Sequence, residues 1–166
     1  MRYRRRVQLD RAQLQAIADV LVPPRAPDAP DSTPALTPAE AELVVAIAQL
    51  AITADSVVDR DELTAFAAIA EAVYAQAGLS TSAPSLPAVT DTDARLDLLE
   101  THAAQLRDGA GARLAYGLAF AIVVADLELD PREDELLETL RAALGLEADT
   151  ADEIATVVAS IATPVA

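Results

Sequence analysis

The chain has 166 residues, 52% of them apolar and only 3% aromatic, and its net charge is −15. That length suits one domain with some additional chain. No cysteine is present, which excludes disulfides, thiolate metal sites and a cysteine nucleophile. The apolar residues are mostly Ala, Leu, Val and Ile. Because Ala and Leu favour helices, we expect an all-α fold.

The basic residues are all arginine, and four of them stand at the very start of the chain: Arg2, Arg4, Arg5 and Arg6. The remainder then carries −19, so the acidic body is expected to repel nucleic acid and anionic lipid and to attract cations or a basic protein partner. Only the arginine cluster suits a membrane or another anionic partner. The cluster could equally bind an acidic surface, such as another copy of the body. Alternatively, it is a simple disordered tail.

The start of the chain does not have the pattern of a signal peptide, because no apolar stretch of about 7–15 residues follows the arginines. The longest apolar run, residues 114–125, is shorter than the roughly 20 residues that a membrane helix needs. We therefore expect a soluble protein located in the cytoplasm.

Three regions follow from the pattern of apolar residues and prolines. Residues 1–21 contain the arginine cluster and a first helix, over about 10–21, with Ile17 and Leu21 on its apolar stripe. Residues 22–37 are a proline-rich linker, and residues 38–166 form the helical body. The first helix is either held at a distance by this linker or packed back on the body.

Six helices are predicted in the body: 38–54, 59–77, 92–107, 112–125, 131–144 and 151–162. Thr37 with Glu40, and Thr150 with Glu153, have the spacing of capping boxes that start helices. Gly78 and Gly145 are expected to end helices. The helices over 38–54 and 112–125 are apolar on nearly all sides, so they are expected to be buried at the centre.

Two segments of the body repeat each other at a displacement of 71 residues. The shift places three acidic pairs together: Asp55 with Asp126, Asp59 with Asp130, and Glu62 with Glu133. It also aligns five apolar pairs: Ile52 with Val123, Val58 with Leu129, Phe66 with Leu137, Ile69 with Leu140, and Val73 with Leu144. The sequence therefore predicts a compact bundle of about six to seven helices, with a pseudo-two-fold repeat of helix–loop–helix units over about 40–78 and 111–146.

The acidic segments 54–62 and 125–133, here called the elbows, have two interpretations. In the first, Asp59 and Asp130 are N-caps, and the glutamates three residues later complete capping boxes. Capping explains Asp55 and Asp126 least, because the end of a helix disfavours a negative charge.

In the second interpretation, the carboxylates of each elbow bind a hard cation, Ca²⁺ or Mg²⁺. The tentative metal ligands are Asp55, Asp59, Glu62, Asp126, Asp130 and Glu133. The elbows lack the 12-residue spacing and the glycine of an EF-hand loop, so the expected affinity is low unless both elbows share ligands. No other cofactor is indicated.

The repeated order of apolar helix, Ala-Asp elbow and amphipathic helix resembles the tellurite-resistance TerB-like family over about residues 37–161, with 125–133 as the nearer copy. The resemblance implies a compact helical domain with a role in tellurite-type stress response. It also implies metal binding at Asp55, Glu62, Asp126 and Glu133. The family has a glycine after the first aspartate of the motif, where this chain has Ser56 and Leu127.

Other candidate sites are weaker. His102 is the only histidine and has no ligand partner at a suitable spacing, so packing or surface placement is expected. No glycine-rich phosphate loop and no positioned nucleophile–base pair is visible, which makes a hydrolase the weakest option. We therefore expect a non-enzymatic module. The rival expectation is an adaptor or structural component of a larger assembly, docked through the arginine cluster and the acidic surface.

Overall fold

The computed structural model describes residues 12–13, 16–17, 21, 36–52, 60–78, 91–107, 110–124 and 131–162. Within these ranges the regular structure is entirely helical, which confirms the predicted all-α bundle. The helices there are α1 Pro38–Ile52, α2 Arg60–Gln76, α3 Thr92–Leu106, α4 Ala110–Val124, α5 Pro131–Leu144 and α6 Ala148–Ala162.

Side-chain caps fix two of the helix starts. At α1, the Glu40 backbone N–H donates to Thr37 Oγ1 at 3.1 Å, and the Thr37 N–H donates to Glu40 Oε1 at 3.4 Å. This reciprocal pair confirms the predicted capping box. At α3, Asp91 Oδ1 accepts the Asp93 N–H at 3.1 Å, so an aspartate caps that helix as well.

The predicted start of the last helix was wrong. Helix α6 begins at Ala148, where residue 151 was expected, and the Ala151 N–H already donates to the Glu147 carbonyl at 3.0 Å. Thr150 therefore lies inside the helix and cannot form the predicted capping box with Glu153. The physical reason is that Ala148 and Asp149 suit a first turn, since Ala favours helix and a carboxylate there is stabilised by the helix dipole.

Glycine ends two helices, as predicted. Gly78 has φ +73° and Gly145 has φ +72°, a left-handed conformation that other residues rarely adopt. After α5, the Gly145 N–H donates to the Ala142 carbonyl and the Leu146 N–H donates to the Arg141 carbonyl, both at 3.1 Å. These two bonds form a Schellman motif.

The centre of the bundle is the pair α1 and α4, which make the most extensive contact between helices in the described part of the chain. Helix α1 also packs on α2 and α3, and α4 on α3, α5 and α6. Large apolar side chains of both helices, such as Ile47, Leu114 and Leu118, are almost fully buried. Each such side chain contributes about 1.5–3 kcal/mol by leaving water.

The burial pattern repeats at the predicted displacement of 71 residues. Helix α2 begins at Arg60 and α5 at Pro131, 71 residues apart. The aligned apolar side chains of these two helices are buried in both copies: Phe66 and Leu137, Ile69 and Leu140, Val73 and Leu144. In the central helices the equivalent pairs Val44 and Ala115, Ile47 and Leu118, and Ala48 and Ala119 are buried too. Both copies therefore face the core with the same sides.

The segment predicted as the first helix, over about residues 10–21, precedes α1, and its described residues pack on the body. Ile17 and Leu21 are buried and belong to the same hydrophobic core as α1 and α4. The Gln13 side-chain amide donates to the Ile161 carbonyl at 3.1 Å, near the end of α6. A side chain added at Gly117 of α4 would meet Leu21 Cδ1. The sequence left open whether the first helix is held at a distance or packs back on the body. These contacts are those of a helix packed on the body.

None of the helices in the described ranges combines the length and apolar character that crossing a bilayer requires.

Candidate functional site

The helix bounds place each elbow in a connection between two helices of one repeat. Seven residues, 53–59, join α1 to α2, and six residues, 125–130, join α4 to α5. Four of the tentative ligands, Asp55, Asp59, Asp126 and Asp130, lie in these connections, which are outside the described residues.

The two remaining ligand candidates lie at helix starts. Glu62 is the third residue of α2 and Glu133 is the third residue of α5. Their backbone is helical, but their side chains are outside the described part of the structure. The third position is where a capping-box glutamate belongs. Both interpretations assigned a glutamate to this position, so the helix bounds are compatible with both of them.

Among the residues whose side chains are described, no three His, Asp or Glu side chains are grouped so that they could hold a metal ion. The six tentative ligands are not among those residues, so this finding does not bear on them. His102 is half-buried on α3, and its Nδ1 lies in the interior with no hydrogen-bond partner among the described atoms.

The clearest polar junction of the described residues is one that sequence reasoning missed. Glu40 accepts the Thr37 N–H with Oε1, and with Oε2 it accepts the Gly111 N–H at 3.2 Å. Gly111 is the second residue of α4. One carboxylate thus serves the N-termini of both central helices, where the helix dipoles favour a negative charge.

Glu40 and Gly111 are also equivalent positions of the repeat, since 71 residues separate them. The bond between them therefore joins one repeat to the other at matching sites. The sequence signal that could have indicated this contact is the alignment itself, in which a glutamate of the first copy faces a glycine of the second.

A second polar group surrounds Tyr116 of α4. Burial raises the pKa of this tyrosine above its ordinary value, and the nearby charge of Glu138 raises it further. Arg141 lowers the pKa, and Asp152 raises it. The tyrosine is therefore a weaker acid than usual and keeps its proton at neutral pH, which does not favour a role as a base or nucleophile.

Arg141 itself is held by two partners. Its Nη2 donates to Glu138 Oε2 at 3.1 Å, a pair one turn apart on α5, and Nη1 donates to the Leu146 carbonyl at 3.0 Å. The hydrogen bond to Glu138 is the main reason that the pKa of Arg141 is raised. The second bond satisfies a carbonyl just beyond the end of α5, so the arginine has a structural function there.

The arginine cluster of residues 2, 4, 5 and 6 lies outside the described residues. The body surface that it was expected to complement is acidic where described. Exposed carboxylates occur on five of the described helices and include Glu42 on α1, Glu71 on α2, Asp93, Asp97 and Glu100 on α3, Asp134, Glu135 and Glu138 on α5, and Asp152 and Glu153 on α6. The exposed Arg113 approaches Glu153 at 3.8 Å.

Comparisons with protein-family models, with curated proteins and with solved structures find no match. The class that the fold defines is thus an all-helical bundle built on two central helices.

Proposed function

We propose that this protein is a non-enzymatic, TerB-like helical module of a tellurite-type stress response, which binds Ca²⁺ or Mg²⁺ weakly at its two elbows. The observation that supports the proposal is the repeated burial register. Two helix pairs, α1–α2 and α4–α5, bury equivalent residues, and each pair is joined by a short acidic connection. Selection for helix capping alone would not require the additional aspartates Asp55 and Asp126.

The binding is proposed to be weak for a physical reason. Asp59 and Asp130 immediately precede helices, and Glu62 and Glu133 are in their first turns. Backbone N–H groups and the helix dipole already stabilise carboxylates at such positions. A cation must compete with those interactions, so it gains less from these carboxylates than from the free ligands of a dedicated calcium loop.

Calorimetric titration with Ca²⁺ and with Mg²⁺ tests the proposal. The unmodified chain should release or absorb heat beyond dilution at millimolar metal. Asp55→Asn and Asp126→Asn should each remove part of this heat, and the double variant should remove most of it. Glu100→Gln is the matched control, because it makes the same change of charge at an exposed residue of α3 that belongs to neither elbow.

Two results would contradict cation binding at the elbows. One is the absence of heat from the unmodified chain. The other is an equal reduction by Glu100→Gln, which would indicate diffuse attraction of cations by the negative surface.

The second candidate function is an adaptor in a larger assembly, favoured by the opposite charges of the arginine cluster and the exposed acidic surface. Deleting the N-terminal segment is a poor test, since Ile17 and Leu21 belong to the core. Replacing the four arginines by serine leaves those residues in place. Loss of a protein partner in pull-down, with unchanged thermal unfolding, would support the adaptor, and an unchanged set of partners would contradict it.

A further inference from the structure

The groove that receives the first helix has features that fit this segment in particular. Its floor is Gly117, where the missing side chain leaves room for Leu21. An added Cβ there would also approach Ile154 Cγ2 at 3.3 Å and Val158 Cγ2 at 3.5 Å, so α6 forms one wall. At the end of α6, the Ile161 carbonyl accepts the Gln13 amide. The groove between α4 and α6 thus matches this segment in shape, makes apolar contact with it and accepts a hydrogen bond from it.

Charge favours the same pairing. Residues 1–21 contain five arginines and two aspartates, a net charge of +3, so the rest of the chain carries −18. The segment that supplies Gln13, Ile17 and Leu21 to the groove is thus basic in sequence, and the rest of the chain is strongly acidic. Because every copy of the chain carries both halves of this pair, a second copy presents a segment of the same shape and the same charge.

The connection between the two halves is long. Fourteen residues separate the buried Leu21 from the buried Leu36, and the sequence between them is proline-rich. Proline-rich chain extends by about 3.1 Å per residue, so it can reach roughly 40 Å. A helix on such a tether can enter the groove of its own chain or that of a neighbour, which is the condition for domain exchange.

We propose that two copies of this chain exchange their N-terminal helices, each placing Ile17 and Leu21 in the α4–α6 groove of the other. The closed monomer and the exchanged dimer contain the same helix–groove contacts. They differ in the concentration of the helix near its groove, which is about millimolar within one chain. The dimer is thus the minor form at micromolar protein and grows with concentration.

Salt separates the two forms. It weakens the attraction between helix and groove equally in both, but only in the dimer does it also relieve repulsion between two acidic bodies. The dimer fraction therefore rises with salt at a fixed protein concentration.

Disulfide trapping tests the exchange, and the chain offers a clean background because it has no native cysteine. Ala12 and Ser160 are exposed and stand next to Gln13 and Ile161, the two residues joined by a hydrogen bond. A chain with Ala12→Cys is mixed with a tagged chain with Ser160→Cys and oxidised. We expect a mixed disulfide whose yield rises at least about tenfold between 10 μM and 1 mM protein.

A single chain that carries both substitutions controls for the contact itself, because it should close its disulfide internally at low concentration. Adding Ile17→Asp, which would bury an unpaired charge, should lower both the internal and the mixed disulfide at least about tenfold. An internal disulfide without any mixed one up to 1 mM would overturn the exchange. So would a mixed disulfide that Ile17→Asp leaves unchanged, or a failure of the internal one to form.

Discussion

Glu40 is the residue that joins the two repeats through a described hydrogen bond, and both of its oxygens accept. Oε1 takes the Thr37 N–H and Oε2 takes the Gly111 N–H. A carboxylate can satisfy both donors, whereas an amide offers one acceptor and turns its NH₂ group toward the other donor. The two isosteric groups are thus not equivalent at this position.

We predict a graded loss of stability from substitutions of Glu40. Glu40→Ala removes the acceptor of the Thr37 N–H and the bond to α4, while the bond from the residue-40 N–H to Thr37 Oγ1 remains, and it should lower the free energy of unfolding by about 2 kcal/mol. Glu40→Gln keeps one bond and should cost about 1 kcal/mol. Urea unfolding measures both, with Glu42→Gln on the exposed side of the same turn as control, expected within about 0.5 kcal/mol. Equal effects of the two Glu40 variants would contradict the double acceptor.

Gly117 lies inside α4 and beneath Leu21 of the first helix, and these two surroundings favour different residues: the helix favours alanine, and the contact with Leu21 favours glycine. Alanine stabilises a helix interior by up to about 1 kcal/mol relative to glycine. Here the added methyl group would meet Leu21 of the first helix. The end of a leucine side chain can move, so the contact is relieved by displacing the first helix rather than by opening the body.

The effect of Gly117→Ala should therefore change sign with the residue at position 21. In the native background, we expect faster amide hydrogen exchange over residues 12–21 and a loss of roughly 1 kcal/mol in stability, from overpacking partly offset by propensity. In a Leu21→Ala background, the same substitution should stabilise by up to about 1 kcal/mol. The double-mutant cycle measures this coupling, and additive effects would show that Leu21 does not lie on Gly117.

Several elements could be predicted from local sequence because their signals are local. Pro131 at the first helical position and Thr37 with Glu40 fixed helix starts that the structure has at the same places. The start of α6 was missed because Glu147 and Thr150 are both acceptable starting points, and a local pattern does not choose between them. The positions of residues flanking the elbows could be predicted, but the geometry of the ligands could not.

Contacts between distant elements had no local signal. Apolar spacing indicated that Ile17 and Leu21 share a helix face, but that face could pack on any apolar surface. Its place became defined only through Gly117, whose missing side chain is a property of another helix. The bond from Gly111 to Glu40 has the same character, because it depends on two helix ends meeting in space.

At the scale of the whole molecule, the chain has an unusual titration. Its basic residues are all arginine, which stays charged up to high pH, and it has neither lysine nor cysteine. Between about pH 9 and pH 12, the groups that lose protons are therefore the three tyrosines. Stability in this range reports on tyrosine burial with little interference from other groups.

Stability should fall as the pH rises through this range. The pKa of Tyr116 is raised by burial and then by Glu138, and that of Tyr74 by burial and then by Glu42. Above pH 10 the unfolded chain loses these protons while the folded chain keeps them, so unfolding is favoured. The stabilising contribution is complete below pH 10 and is lost as the pH approaches the raised pKa values.

Urea unfolding from pH 9 to 11.5 should show this decline in the free energy of unfolding, and Tyr116→Phe and Tyr74→Phe should each flatten it. Tyr3→Phe, in the N-terminal segment, is the control for loss of a hydroxyl. A decline that neither core substitution reduces would contradict burial of the two hydroxyls.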